Sequence, residues 1–272
     1  MNFSLPEELE MLRDMVRDFA SEKIAPFADE WDEKHYFPYE EVIKPMGELG
    51  LFGTVIPEEY GGSEMGWLAA MIVTEEIARA SSSLRVQINM QTLGCAYTIL
   101  TYGSDELKQK YIHKLVTAEY MGAFAMTEPD AGSDVGALRT KATPDPDSED
   151  PRVYKIEGTK RFITCGEHDL TENIIHLVLA RIEGAPPGTK GISLFIVPKI
   201  RVNADGSMGE PNDVFCGGIE HKMGIHGSST CTLNFGENGN CRGILLGEPN
   251  SGMAKMFQMM NDARIGCGIQ AL

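Results

Sequence analysis

The chain has 272 residues, 42% hydrophobic and 24% charged, and carries 24 Lys and Arg against 40 Asp and Glu, a net charge of -16. This balance lacks the basic footprint of general nucleic-acid binding, and no apolar run approaches the roughly 18–20 residues of a membrane span. The acidic, amphipathic start MNFSLPEELEML has the features of neither a secretory signal nor an Arg-rich transit peptide, and six scattered cysteines without a CxxC suit buried small hydrophobes in a reducing cytoplasm rather than disulfides or a metal site.

Residues 1 to about 118 read as helical. Ser4-Leu5-Pro6-Glu7 offers a capping box with Pro in the first turn. Leu9, Leu12, Val16, Phe19, Ile24 and Phe27 follow at helical spacing, and Val42, Ile43, Met46 and Leu49 form a shorter stripe. The loop PEEYGGSEMG (57–66) precedes two further helical stretches, near 67–81 and 85–102. Ser104 then starts another helix, striped by Leu107, Tyr111, Ile112 and Leu115.

The period changes near 121. Segments 121–127, 137–143, 152–164, 174–182, 191–198, 214–222 and 230–235 are short and rich in β-branched or aromatic residues. The loops PDPDSEDP, EGAPPGTKG and NADGSMGEPND fall among them. Such a run predicts a β-sandwich or barrel. After Gly247 the helical period returns in GMAKMFQMMNDARIGCGIQAL, with Met253, Met256, Phe257 and Met260 on one face. An apolar helix needs something to pack against, so this one is expected to be truncated or covered by a partner. The predicted fold is α+β and multidomain: an all-α bundle over 1–122, a β-sandwich or barrel over 123–247, and over 248–272 the first helix of a C-terminal α domain.

The chemistry centres on FAMTEPDAGSDV (124–135), where an apolar run opens onto a crowded turn. Turn formers alone explain such a stretch. Its hydroxyls and free amides, with Gly132 allowing close approach, also suit ring edges and phosphate oxygens. It falls at the head of the β domain, where interdomain clefts favour ligands. In Gly158-Thr159-Lys160-Arg161-Phe162-Ile163-Thr164 an aromatic and a hydroxyl stand two apart, on one face of a strand. A flat aromatic ligand needs such parts, although a core Phe beside an exposed Thr has the same pattern.

The helical half, MTEPDAGSD, KRFIT, GIEHKMGIHGSSTCTLNF and NDARIGCGIQAL together resemble the acyl-CoA dehydrogenase family, over the whole chain and in the same order. The resemblance implies FAD as cofactor and an acyl-CoA as substrate. Phe124, Met126 and Thr127 would meet the isoalloxazine. Gly132 and Ser133 would lie at the FAD pyrophosphate, Ser133 also beside the acyl-CoA. Phe162 would pack on the ring, in a position more often Trp in relatives, with Ile163 beside it and Thr164 at its edge. Asn261 and Arg264 match the acyl-CoA contact segment, Asn261 standing where Asp is common. Arg85 resembles the Arg that faces the distal carboxylate in glutaryl-CoA dehydrogenases; a solvent-facing Arg fits the pattern equally well. Residues 1 to about 134 look most like glutaryl-CoA dehydrogenases. From 135 on, the chain looks more like the 3-(methylthio)propionyl-CoA dehydrogenase branch, which raises a recombined origin.

In this family a Glu of the C-terminal helical domain removes the α proton, and in some branches a Glu directly before the Arg of the last helix does so. That second position is Ala263 here, so no catalytic residue is assigned and no metal is expected. The resemblance implies electron transfer to an electron-transferring flavoprotein, and a homo-oligomer once the C-terminal domain is supplied. An oxygen-using acyl-CoA oxidase and a non-catalytic acyl-CoA or FAD-binding module are the alternatives.

Overall fold

A computed structural model describes residues 4–272. The first helix, α1 (Glu7–Lys23), begins with Pro6 as its N-cap and no side-chain cap bond. The N-cap thus falls two residues after Ser4, the residue read as the cap. The amides of Leu9 and Glu10 turn back to the Pro6 carbonyl, and Glu7, Glu8 and Glu10 complement the helix N-terminus electrostatically. Short helices α2 (Ala28–Glu33) and α3 (Lys44–Glu48) follow, the latter running on from a π-helical turn at Tyr39–Ile43.

α4 (Trp67–Ala80) packs along α1. Ser81 then caps α5 (Ser82–Ile88), its side chain accepting from the Leu84 amide. The predicted single helix over 85–102 is α5, a π-helical segment Asn89–Ala96 and α6 (Tyr97–Tyr102) in direct succession. A wide turn of this kind rotates the side chains that follow it, and such segments gather at functional sites. α7 (Asp105–Val116) starts at its predicted cap, the Ser104 hydroxyl accepting from the Leu107 amide.

The β half is a barrel. Its strands are β1 (Tyr120–Ala125), β2 (Lys141–Pro144), β3 (Val153–Thr164), β4 (Asn173–Ile182), β5 (Ile192–Pro198), β6 (Ile200–Val202), β7 (Met208–Pro211), β8 (Val214–Ile219), β9 (Thr230–Phe235) and β10 (Arg242–Leu245). The path β4-β5-β10-β3 closes because β2 pairs with both β3 and β4. β1 adds in parallel to β4, while β9 and β8 continue from the far half of β3. Three strands lie outside the predicted segments. β10 closes the ring, and β6–β7 is a separate hairpin whose second strand falls within the stretch read as loop. Segment 137–143 enters the sheet only from Lys141, after a 3₁₀ turn at Val135–Ala137.

Alternation divides β4 between two cores. Ile175, Leu177 and Leu179 face the helices, while Ile174, Val178 and Ala180 face the barrel interior. A strand covered on both sides reads as one continuous apolar run, as NIIHLVLA does. The helices meet β1 through buried Gln91 of the π segment. Its Nε2 donates to the carbonyls of Leu115 and Tyr120, 2.6 Å for the latter, and its Oε1 accepts from the Gly122 amide at 2.9 Å. A Cβ on Gly122 would lie 2.6 Å from Cys95 Sγ, so only Gly lets the strand seat there.

α8 (Gly252–Gln270) is not left unpacked. Gly252 sits against Ser193 of β5 and Gly266 against Asn89, each too close for a Cβ. Met256 and Met259 are buried, Met253 and Met260 pack at the core's edge, and Phe257 remains exposed. The predicted stripe is thus partly covered by this chain's own β5 and π segment. Four of the six free cysteines are buried as expected; Cys216 and Cys267 are exposed. No helix among the described residues is long and apolar enough to cross a membrane.

Candidate flavin and acyl-CoA site

Two cavities meet at Met126 and Met260, between β1, β3 and α8. The smaller, about 150 Å³, is walled by Met90, Phe124, Met126, Thr127, Phe162, Ile163, Met259, Met260 and Ala263. The larger, about 550 Å³, is walled by Gly132–Gly136, Thr189, Met253, Met256, Phe257 and Arg264 beside the two shared methionines. Eight of the predicted site residues therefore converge: Phe124, Met126, Thr127, Phe162 and Ile163 around one cavity, and Gly132, Ser133 and Arg264 around the other, with Met126 common to both.

The remaining three do not line either cavity. Thr164 pairs with Thr230 in the β3–β9 ladder and is half-buried at the edge. Asn261 is exposed, and its Oδ1 accepts from Arg264 Nη1 at 3.1 Å, so it orients the arginine. Arg85 is not at the surface, because burial leaves it 4% exposed. Its Nη2 lies 3.8 Å from Cys267 Sγ, and its Nε has no hydrogen-bond partner. Cys267 stands one helical turn beyond Ala263 on α8, which puts Arg85 past the inner end of the smaller cavity.

A bulge in β3 shapes this site. The register against β9 shifts between Lys160 and Ile163, and Phe162 adopts φ +62°. That left-handed conformation is a genuine outlier for a bulky side chain. The bulge re-aims Phe162 out of the sheet, where its ring stays 54% exposed on the cavity wall. Arg161 covers the ring's other side, its guanidinium 4.9 Å from the centroid and bonded to Glu220 at 2.9 Å.

The turn after β1 is held from behind. Glu128 and Ala131 exchange backbone bonds of 3.0 and 3.2 Å, which close the loop. The Glu128 carboxylate accepts from the amides of Arg139 and Thr140, the Thr140 hydroxyl and Lys160 Nζ. Burial pulls this carboxyl upward, but Lys160 and those donors outweigh it and hold it below the usual range. The amides of Gly132, Ser133 and Asp134 donate to no protein group among the described residues, and all three residues are exposed. Successive free amides beside Arg264 form a ready anion cradle in a strongly acidic chain. Sequence reading leaves out Met90, Met259 and Thr189, because a π-helical turn and a long-range loop contact give no local pattern. Glu128 and Lys160 stood inside the quoted motifs, but as turn and strand residues.

A third cavity, about 480 Å³, lies elsewhere between the helices and the barrel, lined in part by His35, Phe37, Met121, Cys165, Lys222 and His226. Beside it Asp32 clamps the two halves. Its carboxylate accepts from the amides of His226 and Gly227, the Ser83 hydroxyl and His226 Nδ1, while His226 Nε2 donates to the Lys222 carbonyl. The Lys222 carbonyl and Asp32 raise His226 above its usual value. A raised folded-state value stabilises below the unfolded pKa of about 6.5 and loses that effect as pH rises through the folded value. His226→Ala is thus expected to lower the melting temperature more near pH 6 than near pH 9; an equal loss at both would remove the charged clamp.

Comparisons with known proteins show the family. The acyl-CoA dehydrogenase N-terminal domain matches residues 6–119, and the acyl-CoA dehydrogenase middle domain matches residues 123–237. A glutaryl-CoA dehydrogenase of Desulfococcus multivorans is 45% identical over 97% of this chain and 64% of its own length. A 3-methylmercaptopropionyl-CoA dehydrogenase of Ruegeria pomeroyi is 37% identical over 93% of this chain and 44% of its own. A glutaryl-CoA dehydrogenase solved with glutaryl-CoA superposes with a TM-score of 0.84 at 42% identity, over 99% of this chain and 64% of that one. An acyl-CoA dehydrogenase from Bacillus anthracis complexed with FAD gives 0.81 at 27% identity, over 98% and 42%.

Proposed function

This chain belongs to the acyl-CoA dehydrogenase family, carrying its N-terminal and middle domains, and from that premise we propose that it holds the FAD and acyl-CoA side of an α,β-dehydrogenation site. The observation that carries the proposal is the convergence of the bulged Phe162 and the turn 126–133 on two joined cavities. Phe162 and Met126 offer faces to a planar ring, and Thr127 offers a hydroxyl at its edge. The free amides of 132–134 and Arg264 suit the phosphates of the cofactor and the thioester carrier. When bound there, FAD would supply the hydride-accepting chemistry that an α,β-dehydrogenation requires.

The chain's own residues bind and orient. Met90, Met259 and Met260 give the acyl chain adaptable apolar walls and exclude water. No carboxylate lines the smaller cavity among the described residues, and Ala263 occupies the α8 position on that wall. The base therefore comes, in this reading, from outside these walls. The same observation favours a second reading, a module that binds FAD and acyl-CoA without turnover. As divided here, residues 1–122 and 123–247 enclose the site and 248–272 closes it. An electron-transferring flavoprotein in the cytoplasm would be the electron-accepting partner in this reading.

FAD binding by the purified chain tests the proposal through quenching of flavin fluorescence. A dissociation constant of about 10 μM or tighter supports it, equivalent to roughly 7 kcal/mol; no quenching at higher FAD removes it. Phe162→Gly separates wall from scaffold. Glycine relieves a left-handed strain of about 1 kcal/mol and adds unfolded-state entropy of similar size, so the melting temperature should hold. FAD affinity should fall about tenfold as the aromatic face is lost. Unchanged affinity would place the ring elsewhere.

A further inference from the structure

Lys160 lies on β3 immediately before the bulge and is 0% exposed. Its Nζ is 2.9 Å from Glu128 Oε1 and 3.0 Å from the Met126 carbonyl. The next residue repeats the grip, the Arg161 amide donating to the Thr127 carbonyl at 2.8 Å. Two successive residues of β3 thus hold two successive carbonyls of the turn. Lys160 lines neither cavity. A buried ion pair adds little stability over an apolar pair of the same volume, so its use here lies in fixing geometry.

We propose that Lys160 is a positioning residue, whose grip on the Met126 carbonyl sets the spacing between the turn 126–128 and the bulged strand and thereby tunes flavin affinity and spectrum without contact. The proposal rests on the flavin-site reading above. Glu128 has a different part. It is the counter-charge for Lys160 and the anchor for the amides of Arg139 and Thr140, and it does not touch the Met126 carbonyl. Burial pushes the Lys160 ammonium down to about 8 while Glu128, the charged group facing it, stays ionised.

Three variants test this: Glu128→Gln, Lys160→Met and the double variant, which leaves no buried charge unpaired. FAD dissociation constants and visible spectra are measured on each, with melting temperature as the control for folding. Glu128→Gln removes the counter-charge and one acceptor oxygen but leaves Lys160 opposite the Met126 carbonyl, so it should weaken FAD binding less than either variant lacking Lys160. Both variants lacking Lys160 should bind about tenfold or more weakly, with an altered flavin band envelope, even where the double variant melts normally. A double variant that binds FAD as the native chain does, with the same spectrum, overturns the proposal. Should the lysine variants fail to fold, Lys160→Arg decides, since it keeps the buried charge but not the same reach to the Met126 carbonyl; a folded Lys160→Arg chain with native FAD affinity and spectrum overturns the proposal. A native chain that binds no FAD removes the flavin reading and this inference together, whereas binding that is indifferent to Lys160 removes this inference alone.

Discussion

Arg85→Gln is expected to weaken glutaryl-CoA binding by about 10- to 100-fold while leaving butyryl-CoA within about threefold. A guanidinium that is 4% exposed, with no carboxylate bridged to it and its Nε unpaired, carries a desolvation cost that no described group offsets. An anion delivered by a ligand would offset it, and a bidentate carboxylate fits the fork best. The helices place the anion's position. Met90 and Ala263 line the smaller cavity, and from them the π segment leads back to Arg85 and α8 leads on to Cys267. A dicarboxylic acyl group threaded past the methionines would end at this cation, whereas a monocarboxylic one stops short of it. Competition against FAD-loaded protein measures the two affinities. Equal losses for both acyl groups would make Arg85 a structural residue and leave the dicarboxylate preference without support.

The largest loss of stability is expected from Gln91→Leu, about 3–5 kcal/mol, since leaving each buried backbone group unpaired costs about 1–3 kcal/mol. Gln91 is 1% exposed and joins the Leu115 and Tyr120 carbonyls to the Gly122 amide. Leucine matches its volume and serves none of the three. A chain of this size should then melt roughly 10 °C lower, at about 2–4 °C per kcal/mol. FAD affinity should fall as well, because β1 carries Phe124 to the cavity from this anchor. A shift of only a degree or two would mean that water or a repacked strand takes over the bonds.

The division into a helical and a barrel half was legible because each has its own period, and the buried run of β4 shows as unbroken apolar sequence. β10 was not legible. Four residues in CRGILLG resemble a loop end until β5 and β3 flank them. The π segment was hidden for a related reason: its apolar stripe continues the helical pattern, and only packing against β1 requires the wider turn. For the site, the turn 124–135 and the strand 158–164 were found because their polar residues interrupt apolar runs. Their support was not found. Lys160 in a strand and Glu128 in a turn look like surface charges until strand alternation with Tyr154 and Ile156 puts one inside and the turn brings the other beneath it. Arg85 looked as well suited to solvent as to a ligand, and only burial separates the two. Asn261 and Thr164 line neither cavity, since helix rotation and ladder pairing direct them elsewhere.

The measurement that tests the central claim most directly is the visible spectrum of the purified, FAD-loaded chain during anaerobic addition of glutaryl-CoA and then butyryl-CoA. The account predicts flavin bands that shift as each acyl-CoA binds and do not bleach, because the smaller cavity is walled by apolar residues and Thr127, with no carboxylate among the described residues. Bands that neither form with FAD nor respond to either thioester would contradict the site itself, and rapid bleaching would show that a base reaches the acyl chain in this protein, against the account.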